Sequence, residues 1–164
     1  MALNNLTDQL VHDMCDLWSA ETEIHRQLPV FAQAALRKEL REILLAYVPV
    51  VADHTIGLQV LIRMRGRAPD SKPCRAIAAL AEANEQHLLA QNADPAIKNA
   101  ALIGAITRMQ HYKIAGYRCL LTYAEQLKAM PEASSFRQYL ADESSFLGQL
   151  RKAELLVTED ADRV

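Results

Sequence analysis

The chain has 164 residues, enough for one domain with a substantial core, and 51% of them are apolar, with few glycines. A formal charge of −2 gives no general attraction to nucleic acid or anionic lipid. Three widely spaced cysteines (Cys15, Cys74 and Cys119) without a Cys-x-x-Cys pair argue against a disulfide framework and a structural zinc site, and read instead as small hydrophobes in a reducing compartment. The opening MALNNLTDQLVHDM interleaves apolar and polar residues, unlike a signal peptide. No stretch reads as the run of about 20 apolar residues that spans a membrane. A cytoplasmic protein without a membrane or nucleic-acid partner is the expectation.

The first periodic apolar series starts near Asn5 or Thr7 and runs through Leu10, Met14, Leu17, Ile24 and Leu28. Pro29 then ends or kinks the helix, with Phe31 to Leu36 as a continuation of the same rod. A second helix is predicted from Lys38 to Met64, with Leu40, Leu44, Tyr47, Val51, Leu58 and Leu61 on one stripe and Pro49 bending it. Arg65 to Lys72 contains Gly66 and Pro69 and reads as a loop. The cluster of Arg63, Arg65, Arg67 and Lys72 reads first as a solvated helix end. A short helix follows Pro73, over Arg75 to Ala90.

Asp94-Pro95 is the clearest start signal: an N-cap acceptor with proline at the first helical position. It opens a helix predicted to reach Lys128. Met130-Pro131 marks the next break, and a last helix from Pro131 to Val157 precedes a polar, frayed tail over 157–164. Four long helices on short connections pack antiparallel, so the expected fold is an all-α, antiparallel four-helix bundle with an additional short helix, in one domain over 1–164.

In such a bundle, residues alternately three and four apart face the core. The first series then includes Glu21 between Leu17 and Ile24, and the second includes His54 between Val51 and Leu58. The series Ile103, Ile106, Gln110, Lys113, Tyr117, Leu120 turns two polar groups inward, and Phe136, Leu140, Glu143, Leu147, Leu150 turns in Glu143. Each exception lies near the midpoint of its helix, and midpoints of antiparallel helices share one level. The sequence therefore predicts a polar layer of Glu21, His54, Gln110, Lys113 and Glu143, with Asp53 and His111 at its margin. Buried unpaired charges cost several kcal/mol each, so this layer must be paired, hydrated or metallated. Wider stripes that let these side chains reach solvent are the alternative.

The segments DLWSAE at 16–21, Leu28-Pro29, DPAIKNAALI at 94–103, HYKIAGY at 111–117 and AEQL at 124–127 give the chain a resemblance to the YciE/YciF family of bacterial ferritin-like proteins. It extends over nearly the whole chain. The resemblance implies a ferritin-like bundle, usually dimeric, associated with stress responses and without an established reaction. It also implies a carboxylate-rich di-metal site in the core. Carried over, Glu21 matches the first-helix ligand and Glu143 a last-helix ligand. The second-helix acidic stretch is replaced by Pro49, Val50, Val51 and Ala52, and Leu147 stands where an acidic residue is common. The family's Glu-His-Tyr-Glu reads Gln110-His111-Tyr112-Lys113.

A protonated amine has no lone pair for a metal and repels a divalent cation. It can instead bind two carboxylates itself. The expectation is therefore a metal-free core in which Lys113 joins Glu21 and Glu143, with His54 and Gln110, and no catalytic residue. The alternative is an iron or zinc site on Glu21, Asp53, His54 and Glu143.

His25 reads as a helix-edge residue or a partner of Glu21, and His12 and His87 as surface residues. Ser144-Ser145 with Glu143 and His111 lacks the turn of a nucleophilic site, and no phosphate loop is present. Tyr117 belongs to the core stripe, while Tyr112 reaches the metal position or a dimer surface, and Leu88, Leu89, Ile97 and Leu102 are candidates for covering the short helix or a partner. Three functions follow: a non-enzymatic homodimeric stress protein, a metal-carboxylate oxidase, peroxidase or iron-handling protein, and a weaker nucleic-acid or membrane-surface role through Arg63, Arg65 and Arg67.

Overall fold

The computed structural model of the chain describes residues 3–69, 73–88 and 94–161, which form five helices and, among the described residues, no strand. These are α1 (Leu6–Ala34), α2 (Lys38–Met64), α3 (Arg75–Leu88), α4 (Pro95–Gln126) and α5 (Met130–Ala161). Lys72 and Leu89 lie outside the described residues, as do the side chains of His87 and Leu88.

Local chemistry sets the helix ends. Asn5 caps α1, its side chain accepting the Asp8 N–H at 2.9 Å. Pro29 does not end α1, which runs on to Ala34. Beyond it the chain turns because partners take the free backbone groups: Asn99 of α4 accepts the Leu36 N–H at 3.0 Å, and Arg41 donates to the Ala35 carbonyl at 2.8 Å. Gly66, at φ 70°, closes α2 in a Schellman turn, with Arg67 N–H on the Ile62 carbonyl and Gly66 N–H on that of Arg63. Lys128 does the same for α4 in the left-handed region (φ 54°), so no glycine marks that turn. Asp94 caps α4 through Ala96 N–H at 2.7 Å. The helix α5 starts one residue earlier than expected and continues through Ala161, past the segment read as a frayed tail.

The helices α1 and α2 form one antiparallel hairpin, α4 and α5 the other; α1 packs on α4 and α2 on α5. Both of these cross-pairs are antiparallel too. The end of α1 meets the start of α4 at Leu36–Asn99, and the end of α2 meets the start of α5 at Arg65–Glu132. So α2 ends and α4 begins at opposite ends of the bundle, and the connection must travel its length. The short helix α3 rides in that crossover, against α4 and α1. One long crossover between two hairpins is the ferritin-like arrangement.

Two apolar clusters fill the bundle. One gathers Ile24, Leu28, Phe31, Leu44, Ile106 and Leu150, and the other Leu10, Met14, Leu17, Leu58, Leu120 and Phe136. Leu102 is buried in the core, while Ile97 is exposed. One reading needs correction: α2 is long and apolar enough by length and composition to cross a membrane, an 18-residue stretch reaching a mean hydropathy of 1.5. Its apolar residues are not confined to the core stripe, which is why counting that stripe alone missed it. Here its inner stripe packs within the bundle.

The α1–α4 contact is close at Gly116, where a Cβ would meet Leu17 Cδ2 and Cδ1 at 2.9 and 3.0 Å. Leu17 is itself buried and cannot swing away. Gly116→Val should lower unfolding free energy by about 1–3 kcal/mol through overpacking. Gly104→Ala, whose methyl meets only Arg108 Nη1 at 3.5 Å, should raise it by about 0.5–1 kcal/mol through helix propensity. Urea unfolding of both variants checks the contrast.

Candidate functional site: a buried polar layer

Between the two apolar clusters, each long helix turns polar side chains inward. Glu21 comes from α1, His54 from α2, Gln110 and Lys113 from α4, and Glu143 from α5; all five are buried, three of them with no exposed surface. The structure brings these five together.

Lys113 is the hub. Its Nζ lies 2.8 Å from Glu21 Oε2, 2.9 Å from Glu143 Oε1 and 2.9 Å from the Tyr47 hydroxyl. The hydroxyl contact is a hydrogen bond, and the two carboxylate contacts are ion pairs. Tyr47 in turn donates its O–H to Glu143 Oε1 at 2.7 Å, and Tyr117 donates to Glu21 Oε1 at 2.6 Å. Gln110 donates to Glu143 Oε2 in a close contact and to the Tyr47 hydroxyl at 3.2 Å. His54 faces carboxylates on both sides: Nδ1 lies 3.1 Å from Glu143 and 3.5 Å from Glu21, and Nε2 is 3.2 Å from Asp142. Carboxylates beside both ring nitrogens favour the imidazolium over either neutral tautomer.

Burial alone would drive each of these groups to its neutral form, and the pairing reverses it. Desolvation works against the Glu21 carboxylate, yet the Lys113 charge and the His54 contact hold its pKa below the ordinary range. Desolvation also works against the Lys113 ammonium, and the charges of Glu21 and Glu143 outweigh it and raise its pKa. His54 follows the same logic: burial lowers its pKa, but hydrogen bonds to Glu143 and Glu21 lift it to about 9. The tyrosines go the other way, because burial and the neighbouring carboxylates push Tyr47 and Tyr117 well above the usual phenol value. At neutral pH the layer therefore holds the Lys113 and His54 cations beside the Glu21 carboxylate, with neutral phenols donating into it. Such a layer is internally compensated.

Several expected positions fall elsewhere. Asp53 is exposed: one residue from inward-facing His54 on a helix, it is turned away by about 100°. It stands in no ligand set with Glu21, His54 and Glu143; the half-buried carboxylate beside His54 is Asp142 of α5. His111 is exposed as well, and Ser144 donates to the Leu140 carbonyl of its own helix, so no Ser–His–Glu arrangement is assembled. Tyr112 points away from the layer. Its hydroxyl donates to Asp16 in a close contact and accepts from the Cys74 thiol at 3.2 Å, joining α4, α1 and the residue before α3.

Sequence reading missed Tyr47 and Tyr117 as polar members of the layer. The signal was present: both sit on core stripes, seven residues before His54 and four after Lys113, and a buried tyrosine needs a hydroxyl partner. Two more aromatics seal the layer. The Tyr139 ring lies 4.3 Å from that of His54, and Phe146 stacks on Tyr47 at 3.6 Å.

Lys113→Met should cost about 3–5 kcal/mol, because it strands two buried carboxylates. The His54 shift sets a pH dependence. Below about 6.5 the imidazole is protonated both folded and unfolded, so its contribution is complete. Between 6.5 and about 9 only the folded form keeps the proton, and stability falls by up to about 1.4 kcal/mol per pH unit. Glu21, held low, acts oppositely and loses its contribution as pH falls below the ordinary Glu range. Urea unfolding of the wild type and His54→Gln across pH 5–10 checks this: the alkaline fall should be shallower in the variant.

Residues 5–161 match the family described as a domain of unknown function, DUF892. Protein YciF of Escherichia coli K12 is 26% identical over 147 residues, covering 88% of this chain and 87% of YciF. The crystal structure of the E. coli stress protein YciF superposes with a TM-score of 0.90 at 23% identity, over 96% of this chain and 99% of that one. YcfI from Rhodopseudomonas palustris gives a TM-score of 0.84 at 24% identity, over 90% and 94% of the two chains. The chain belongs to the DUF892 family, the YciE/YciF-type helical-bundle proteins.

Proposed function

We propose that this chain is a non-catalytic member of its family, a stress-associated structural or binding protein of the reducing cytoplasm. In this reading the Lys113–glutamate network replaces a di-metal centre. The observation that carries it is the position of the Lys113 ammonium, within 2.9 Å of one carboxylate oxygen from each of Glu21 and Glu143. A di-metal centre needs those oxygens and more carboxylates around them. The donor set does not fit one: Gln110 and Lys113 supply an amide and a cation, and Asp53 faces solvent. The stress association rests on the likeness to YciF.

One observation favours a second reading, an iron- or zinc-binding protein. Glu21, His54 and Glu143 each offer a ligand atom, and these atoms lie within 4.8 Å of one another. Three such donors suit a single ion, with metal-handling chemistry to follow. That requires Lys113 to lose its proton or leave the layer, and His54 to bind as neutral imidazole. Both run against the raised pKa of each group.

Metal analysis of protein purified from iron-supplemented cells separates the two. The wild type should carry well below one iron or zinc per chain, and Gln110→Glu/Lys113→Glu should gain iron by restoring two inward carboxylates. Stoichiometric metal in the wild type would overturn the metal-free reading.

A further inference from the structure

The basic cluster that ends α2 does not act as one patch. Arg65 is taken up by buried Glu132, through a hydrogen bond from its Nε at 2.7 Å and a close ion pair. Arg67, just past the Gly66 turn, instead lines a cavity of about 660 Å³ between α1, the start of α3 and Tyr112 of α4. Pockets for drug-sized ligands run to roughly 300–1,000 Å³, whereas ordinary packing leaves few voids larger than a water molecule. The walls of this cavity are tied to one another. Tyr112 donates to Asp16 of α1 and accepts from the Cys74 thiol, and Ser19 of α1 accepts the Cys74 N–H at 2.8 Å. A site whose walls are joined before a ligand arrives loses less on binding.

Two positive charges face the cavity without partners. Arg67 and Arg75 both line it, both are exposed, and neither has an ion-pair partner among the described residues. Arg75 opens the first turn of α3, where the helix dipole disfavours a cation, so its charge does nothing for that helix. Asp16 is the one acid among the described lining residues, and its carboxylate already accepts from Tyr112. His12, at the rim, is held by Asp13 at 3.0 Å. The lining therefore carries a surplus of positive charge beside an apolar surface.

We propose that this cavity binds an organic anion, a carboxylate or phosphate ester on a short apolar body. Arg67 and Arg75 hold the charged group, since the guanidinium fork matches the oxygens of either. The apolar body lies against Val11, Cys15, Ala68 and Ala76. None of the five residues of the polar layer lines the cavity, so the proposal is independent of the metal-free reading of the core.

Isothermal titration of the full chain with octanoate, octyl phosphate, inorganic phosphate and 1-octanol tests the proposal. Octanoate or octyl phosphate should bind at one site per chain, and the tighter of the two identifies the charged group. Arg67→Ala/Arg75→Ala should weaken that binding about tenfold or more, with helicity and melting unchanged. Inorganic phosphate and 1-octanol should each bind about tenfold more weakly or worse, because each lacks one half of the ligand. The bound anion should also slow alkylation of Cys15 by iodoacetamide, read by peptide mass spectrometry, because that half-buried thiol lines the cavity. No binding of either octyl anion below millimolar concentration would overturn the proposal. So would an affinity unchanged by the double substitution, inorganic phosphate or 1-octanol binding as tightly as the octyl anions, or binding that leaves Cys15 alkylation unaltered. None of these outcomes bears on the metal content of the core.

Discussion

An ammonium group with no exposed surface must find its partners within the protein, and Lys113 pairs with the carboxylates of Glu21 and Glu143 and donates to the Tyr47 hydroxyl. Those acceptors stand on α1, α5 and α2, while Lys113 stands on α4. One side chain thus ties together all four long helices at one level. Desolvating these charges costs several kcal/mol, and the geometry returns it only while every partner is in place. That gives the layer its value for specificity. Sliding any helix by one turn would leave a charge unpaired in the core, whereas an apolar layer would tolerate the slip at smaller cost.

The rest of the architecture is arranged around this level. The apolar clusters lie one on each side, and each contributes a tyrosine whose ring belongs to it and whose hydroxyl reaches the charges: Tyr47 from one, Tyr117 from the other. The crossover is attached near the same height. The Cys74 N–H donates to Ser19 Oγ at 2.8 Å, and its thiol to Tyr112, whose neighbour in sequence is Lys113. The polar layer and the docking of the crossover therefore share one segment of α4. A shift of that segment would disturb both.

The fold was legible because its signals are local and periodic. Asp94-Pro95 opens α4 where the sequence places it, and the stripe from Leu44 through His54 to Leu61 faces the core over all of α2. Midpoint reasoning also brought Glu21, His54, Gln110, Lys113 and Glu143 to one level, since antiparallel helices of similar length leave little freedom there. Less legible were features that depend on rotation or on partners far along the chain. Asp53 and His111 neighbour inward residues, and only the actual helix phase turns them out. Tyr112 was aimed at the wrong neighbour because its partners Asp16 and Cys74 lie 96 and 38 positions away. The left-handed turn at Lys128 carried no signal, because lysine is not a residue that announces one.

The inner and outer faces of α2 divide the account. The inner face supplies His54 to a charge-compensated core, and the outer face leaves Leu45, Ile56, Val60 and Met64 exposed. A core neutralised by side chains leaves a helical scaffold whose variation can lie on its surface. The central claim is that Lys113 occupies the place of a cation, and anomalous diffraction at the iron and zinc edges from crystals grown with those metals tests it most directly. The account predicts the Lys113 amine between Glu21 and Glu143 with no anomalous peak there. A peak between those carboxylates, with Lys113 displaced, would contradict it.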